Sequence, residues 1–266
     1  MIKGPPSLQP DEDKRACDQG HRGGHHAARK DKDAAVRVEE LAKTIDSTLL
    51  EAASTNAAVE LLCRDASTYH FASVCVLPYS VPLARQLLLG YDVKVGTVVS
   101  FPHGADAQRT KITAAEQAVA LGADELDVVI NIPAMLSGDF RYVRDELRSI
   151  VRSVRMTSVN TGRGLVLVKA DVEAYYLDEK LKRLACKIVE DSGADFIKTS
   201  TGMAPGGATA KDVELFRDLL PESVGVDASG GIRSAADAEF MINAGAARIG
   251  TSFAADIIKQ FSTDRE

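Results

Sequence analysis

The stretch Gly193–Met203, GADFIKTSTGM, decides how this chain reads. A Gly-Ala step closes a helix-like segment, a short apolar run follows, and Gly202 marks the return to loop. By the period of two, Phe196, Lys198 and Ser200 share one face of that run, and Ile197 and Thr199 take the other. A lysine on the inner face of a sheet is costly unless it is paired or neutral. Lys198 is therefore either a structural ion-pair member or an amine kept there for chemistry. The same Gly-Ala step recurs as GADELD (122–127) and GAARIG (245–250). A glycine just past a helix supplies its left-handed cap, so each step reads as a helix turning into a strand.

Working outward, strand-like runs fall at Thr44–Ser47, Ser73–Leu77, Val93–Ser100, Glu125–Asn131, Gly164–Glu173, Phe196–Ser200, Ser223–Ala228 and Arg248–Ser252. Helical patterns fall between and after them, at Ser54–Tyr69, Val81–Leu89, Ala107–Leu121, Phe140–Arg155, Asp178–Ser192, Lys211–Leu219, Ser234–Asn243 and Phe253–Phe261. A short helix precedes the first strand. Such alternation argues for parallel strands with helical crossovers. Eight units over this length predict an α/β fold of the (β/α)8 TIM-barrel type spanning residues 34–266. No GxGxxG follows a strand, so a dinucleotide fold is not indicated.

Residues 1–33 read as a disordered polar tail, rich in Gly, Pro and charge and poor in large apolar side chains. His21, His25 and His26 lie there without an acid or thiol cluster that would complete a metal site. The N-terminus has no apolar signal core and carries acids throughout, so neither a secretory signal nor a transit peptide is expected. The net charge of −6 gives no reason to expect nucleic acid as a partner, and no run is apolar enough to suggest a membrane. The four cysteines (Cys17, Cys63, Cys75, Cys186) form no CxxC pair, which suggests a reduced, cytoplasmic protein without structural zinc.

In a barrel of this kind, chemistry sits at the C-terminal ends of the strands. In the fifth run, Val166, Val168, Ala170 and Val172 suit the helix layer, which turns Lys169, Asp171 and Glu173 inward. The same alternation turns Asp127, Lys198 and Asp227 inward. Lys169, Lys198 and Asp227 are equally spaced along the chain, which predicts charged side chains at equivalent places on three neighbouring strands. Several charges converging on one end indicate a site or a structural charge network. The loop Ala228-Ser229-Gly230-Gly231 and the strand end Gly250-Thr251-Ser252 let backbone N–H groups approach an anion, with Gly202 closing a third side. An interior lysine beside a phosphate site suggests a Schiff base with a carbonyl compound. A metal route would need clustered histidines and carboxylates, and His70 and His103 have no third histidine nearby.

These residues make the chain recognisable. IDSTLL (45–50), SVCVLP (73–78), TVVSFPHG (97–104), GADELDVVIN (122–131), GADFIKTSTG (193–202), VGVDASGGIR (224–233) and ARIGTS (247–252) resemble, in the same order, the deoxyribose-phosphate aldolase family. The resemblance implies a class I aldolase that interconverts 2-deoxyribose 5-phosphate with glyceraldehyde 3-phosphate and acetaldehyde, with no metal or organic cofactor. It implies Lys198 as the imine-forming lysine, Asp127 as the acid relaying protons through water, and Lys169 as a supporting lysine. It places Asp46, Thr48 and Cys75 on the acceptor side, and Gly202, Gly230, Gly231 and Ser252 around the phosphate.

The chain departs from the family pattern at several places. Asp227 stands where the family carries a lysine that lowers the nucleophile's pKa, and a carboxylate there pushes the amine the wrong way. Asp171 follows Lys169 where the family is apolar, which is expected to add negative charge or to pair with Lys169. No tyrosine follows Tyr176, whereas many members carry one in a C-terminal tail, and Ser47 replaces a family histidine. These changes predict impaired turnover of a small phosphorylated sugar or aldehyde. They leave open an aldolase-like protein that acts by binding a protein partner, or a related lyase acting on a different aldehyde. A homo-oligomer is compatible with each.

Overall fold

A computed structural model describes residues 37–263. The tail expected over 1–33, with its histidines and Cys17, lies outside the described residues. The chain begins with α1 (Val38–Ala42) and then alternates: β1 (Ile45–Leu49), α2 (Asn56–Tyr69), β2 (Ser73–Val76), α3 (Val81–Leu87), β3 (Lys94–Val99), α4 (Gln108–Leu121), β4 (Glu125–Val129). It continues through α5 (Ile132–Leu136), α6 (Phe140–Asn160), β5 (Leu167–Asp171), α7 (Glu179–Ser192), β6 (Phe196–Lys198), α8 (Ala210–Leu219), β7 (Gly225–Ser229), α9 (Ala235–Asn243), β8 (Arg248–Thr251) and α10 (Ala254–Thr263). The eight strands pair in sequence order, all parallel, and β8 returns to β1 to close the barrel. The TIM-barrel expectation is met.

Local chemistry explains how each unit turns. In α7, the Asp178 side chain accepts from the Leu181 amide at 2.8 Å and caps the start. Cys186, Ile188 and Val189 are buried on the helix face turned to the barrel. Gly193 then adopts φ 77°, a left-handed cap that delivers the chain directly into β6. The outward faces of the strands complete this layer. Val74, Val95, Val128, Val168, Ile197, Val226 and Ile249 are all fully buried between barrel and helices. Each such side chain contributes about 1.5–3 kcal/mol on burial.

Three differences from the expected elements are local. Helix α6 runs past Arg155 to Asn160, and in its last turns the Ser158 hydroxyl donates to the Val154 carbonyl at 2.8 Å, so that this polar group is satisfied inside the helix. Strand β5 starts at Leu167 rather than Gly164, leaving Leu165 exposed before it. The short α5 was not expected; Asn131 caps it by accepting from the Ala134 amide at 3.0 Å.

Register fixes how the inward charges are layered. Lys198 lies opposite Asp171 on β5 and opposite Asp227 on β7. Lys169 lies opposite Phe196, one inward position deeper. The expectation of three equivalent places is therefore corrected: Lys198 and Asp227 share a level, and Lys169 sits below them. Equal spacing along the chain does not survive the stagger that closes a barrel. Among the described residues, no helix is long and apolar enough to cross a membrane.

Candidate active site

Lys198 ends β6 and is 4% exposed. Its Nζ lies 2.6 Å from Asp127 Oδ2 and 3.6 Å from Asp227 Oδ2. Burial alone would lower this amine's pKa. The Asp127 and Asp227 carboxylates outweigh it and hold the ammonium well above the ordinary lysine value. The Cys75 thiol points at Asp127 Oδ2 from 3.7 Å. Burial, reinforced by that carboxylate, pushes the thiol well up, so it sits there as a small neutral group.

Asp227 is fully buried and bridges the two lysines, with Oδ2 3.1 Å from Lys169 Nζ. Its other oxygen has no hydrogen-bond partner among the described residues. Burial raises its pKa despite both lysines. Asp171 does not pair with Lys169, contrary to expectation, because register places it beside Lys198. Burial pushes this carboxyl well up, against the pull of Lys198. Burial therefore opposes the negative charge expected there.

Below this level lies a second cluster. Lys169 Nζ contacts Asp46, Glu125 Oε2 at 3.0 Å and Asp227. Arg248 meets Asp46 and, at 3.0 Å, Glu125. The Ser73 hydroxyl donates to Asp46 at 2.6 Å, and the Phe196 ring lies 5.6 Å from Lys169 Nζ. Burial would raise Asp46, but Lys169 and Arg248 override it and hold the carboxyl below the usual range. Burial would likewise lower Lys169, and its three carboxylates override that. Glu125 and Arg248 escaped the sequence reading. The alternation that turned Asp127 inward also turns Glu125 inward, and would have found it.

Above Lys198 opens a cleft of about 310 Å³, lined by Thr48, Gly202, Gly230, Gly231 and Ser252 together with Arg233 and Glu51. Gly230 and Gly231 adopt φ 88° and 81°, a left-handed backbone that keeps side chains off the cleft wall. The neighbouring loop is clamped onto it, since the Ala208 amide donates to the Ser229 and Gly230 carbonyls at 3.1 and 3.0 Å. Glu173 holds the loop after β6 by accepting from the Thr201 amide at 3.1 Å and from its hydroxyl. Gly250 lines the same cleft, and a methyl placed on it would lie 3.3 Å from Lys198 Nζ and 2.3 Å from Ser229 Oγ. The absence of a side chain at Gly250 therefore leaves the amine, with the Ser229 hydroxyl beside it, close behind the cleft wall.

The structure thus gathers Lys198, Asp127, Lys169, Asp227, Asp46 and Cys75 in the barrel interior. It places Thr48 with the glycines and Ser252 on the cleft. Asp46 is held by Lys169, Arg248 and Ser73 and does not line the cleft. Arg233 and Glu51 were not anticipated; both lie in loops just past strand ends, where a period-of-two reading is silent. Among the described residues, no group of His, Cys, Asp and Glu is arranged to hold a metal ion.

Residues 40–244 match the family described as DeoC/LacD family aldolase. The chain is 46% identical over 222 residues to the deoxyribose-phosphate aldolase of Thermoanaerobacter sp. (strain X514), covering 84% of this chain and 97% of that one. It is 43% identical over 214 residues to that of Clostridium perfringens (strain SM101 / Type A), covering 80% and 92%. Among solved structures it resembles the tetrameric deoxyribose phosphate aldolase of Aeropyrum pernix, with 35% identity, a TM-score of 0.77, and coverage of 85% of this chain and 93% of that one. A closed barrel carrying an interior lysine under a glycine-lined cleft, together with these matches, places this chain in the DeoC/LacD aldolase family.

Proposed function

We propose that this chain cleaves 2-deoxyribose 5-phosphate to glyceraldehyde 3-phosphate and acetaldehyde through an imine on Lys198, and that its turnover is slowed by the charge state of that lysine. One observation carries the reading. Lys198 Nζ lies 2.6 Å from Asp127 and directly behind the backbone of a glycine-lined cleft. The names of the relatives support the substrate.

The chemistry follows from this arrangement. The sugar phosphate seats its anionic end against Gly202, Gly230, Gly231 and Ser252, with Arg233 as counter-charge. The neutral Lys198 amine adds to the open-chain aldehyde, and loss of water gives the iminium. A base removes the C3 hydroxyl proton, and the C2–C3 electron pair moves toward the iminium nitrogen. Glyceraldehyde 3-phosphate leaves, and an enamine remains. Asp127 is in position to exchange protons through a bound water. Protonation of the enamine carbon and hydrolysis release acetaldehyde and the amine.

The slow step is deprotonation of Lys198. The amine is charged at rest, and Lys169 does not relieve it because Asp46, Glu125 and Asp227 already neutralise that cation. Imine formation should rise about tenfold per pH unit through the neutral range, because each unit multiplies the neutral fraction by ten while the ammonium dominates. Borohydride reduction with acetaldehyde or deoxyribose 5-phosphate should add the matching mass to Lys198, with glyceraldehyde 3-phosphate released from the sugar. No adduct and no product would overturn the reading in favour of a barrel that acts by binding a protein partner. The tetrameric description of the Aeropyrum relative supports a homo-oligomer here, which light scattering reads directly.

A further inference from the structure

Two carboxyl groups stand beside Lys198 in very different company. Asp127 meets the ammonium at 2.6 Å and also receives the Cys75 thiol. Asp171 lies opposite Lys198 across the β5–β6 pairing, 1% exposed, on the same inward face as Lys169. Yet among the described residues its carboxyl has no cation within 4.0 Å, and the one hydrogen bond to that side chain comes from the Glu173 amide at 3.2 Å. The interior cations are committed elsewhere: Lys169 to Asp46, Glu125 and Asp227, Arg248 to Asp46 and Glu125, Lys198 to Asp127 and Asp227. A buried carboxyl without a cation keeps its proton.

We propose that Asp171 is the proton donor of this site, delivering its proton to the carbon of the enamine formed on Lys198. The inference rests on the Schiff-base reading above. Three groups face Asp171: Lys198 from β6, Asp127 from β4 and Glu173 from its own segment. Burial outweighs Lys198 and leaves Asp171 the acid, while the carboxylate paired with the ammonium serves as the base. Two neighbouring carboxyls with environments this different divide acid and base roles between them. In the step itself, the nitrogen lone pair re-forms the carbon–nitrogen double bond. The enamine carbon takes the Asp171 proton, and an Asp171 carboxylate remains. The iminium charge on Lys198 and the Glu173 amide stabilise that carboxylate until water hydrolyses the imine and the acid is reloaded.

The test separates imine formation from carbon protonation. Acetaldehyde incubated with the full chain in D2O exchanges its methyl hydrogens only when the enamine is made and reprotonated, which NMR follows. Borohydride trapping on Lys198 reports the imine alone. Asp171→Asn should keep the Lys198 adduct and slow methyl exchange by about 100-fold or more, the scale of a lost general acid. Asp171→Glu should recover part of the exchange. An adduct retained with exchange within threefold of the parent overturns the role of Asp171 while leaving the imine reading intact. Absence of any adduct in the parent overturns both. A measurement on the unaltered protein stands apart from the variants' folding: the ratio of exchange to trapping should fall as rising pH ionises Asp171. A flat ratio refutes the proposal.

Discussion

Toward the N-terminal ends of the strands, Lys169 and Arg248 face Asp46 and Glu125, and every one of these groups has an opposite charge at contact distance. One level toward the mouth, Lys198 is the cation among Asp127, Asp171 and Asp227, and one Asp227 oxygen has no partner among the described residues. Both places set a lysine among buried carboxylates. What differs is stoichiometry. A balanced set locks its charges and acts as scaffold, whereas an acid-rich set in a dry interior must hold protons. The lower set is balanced in charge, and in the upper set burial favours the protonated forms of Asp171 and Asp227.

Breaking the lower level should produce the largest effect. Lys169→Met leaves Asp46, Glu125 and Asp227 short of a cation and should cost about 3–5 kcal/mol, the scale for removing one member of a buried ion-pair set. Urea unfolding measures it, and a loss under 1 kcal/mol would show that Arg248 alone holds the cluster. Relieving the upper level should do the reverse for chemistry. Asp227→Asn removes a carboxylate 3.6 Å from Lys198, and each unit by which the amine's pKa then falls is worth about 1.4 kcal/mol, or tenfold in neutral amine. Trapping at pH 7 should accelerate, and more so in Asp227→Lys. Unchanged trapping with an accessible Lys198 would refute the charge explanation.

The two levels also differ in sign with pH. Burial raises Asp171 and Asp227, so the folded state binds their protons more tightly than the unfolded chain. Their contribution is present below the ordinary aspartate value of about 4 and is lost as pH rises through the folded values. Asp46 is lowered, so its contribution is present above that value and is lost as pH falls through its folded value. Asp227→Asn should therefore remove part of the stability loss that sets in as pH rises above about 4, and leave the Asp46 loss at lower pH in place.

The smallest effect should come from the cleft, where Glu51 shares the wall with Arg233. Glu51 is exposed, and reversing such a charge beside a phosphate changes binding by about 1 kcal/mol, roughly fivefold. Glu51→Lys should lower KM for 2-deoxyribose 5-phosphate while leaving kcat and the KM for unphosphorylated deoxyribose unchanged. A parallel change for both sugars would mean that Glu51 does not face the anion.

Much of this was legible in the residues. The Gly-Ala steps marked where helices hand over to strands, and alternation assigned Asp127, Lys169, Lys198 and Asp227 to the interior. Alternation gives a face but no height. Height depends on the stagger between strands, so the sequence could not tell that Asp171, rather than Lys169, neighbours Lys198. The same gap made Asp171 look like a partner for Lys169. The sign of Asp171's effect depended on which cations were already taken, and that required Glu125 and Arg248, which open β4 and β8 and read as strand borders. Helix α5 was missed because five residues with a proline give no periodic signal.

Gly250 sits on a hydrogen-bonded strand between β7 and β1, so the partition between Lys198 and the cleft cannot swing as a side chain does. It acts as a fixed gauge. Under the proposed function, a substrate whose charged end rests among the glycines has to span a fixed distance past Gly250 to bring its carbonyl to the amine.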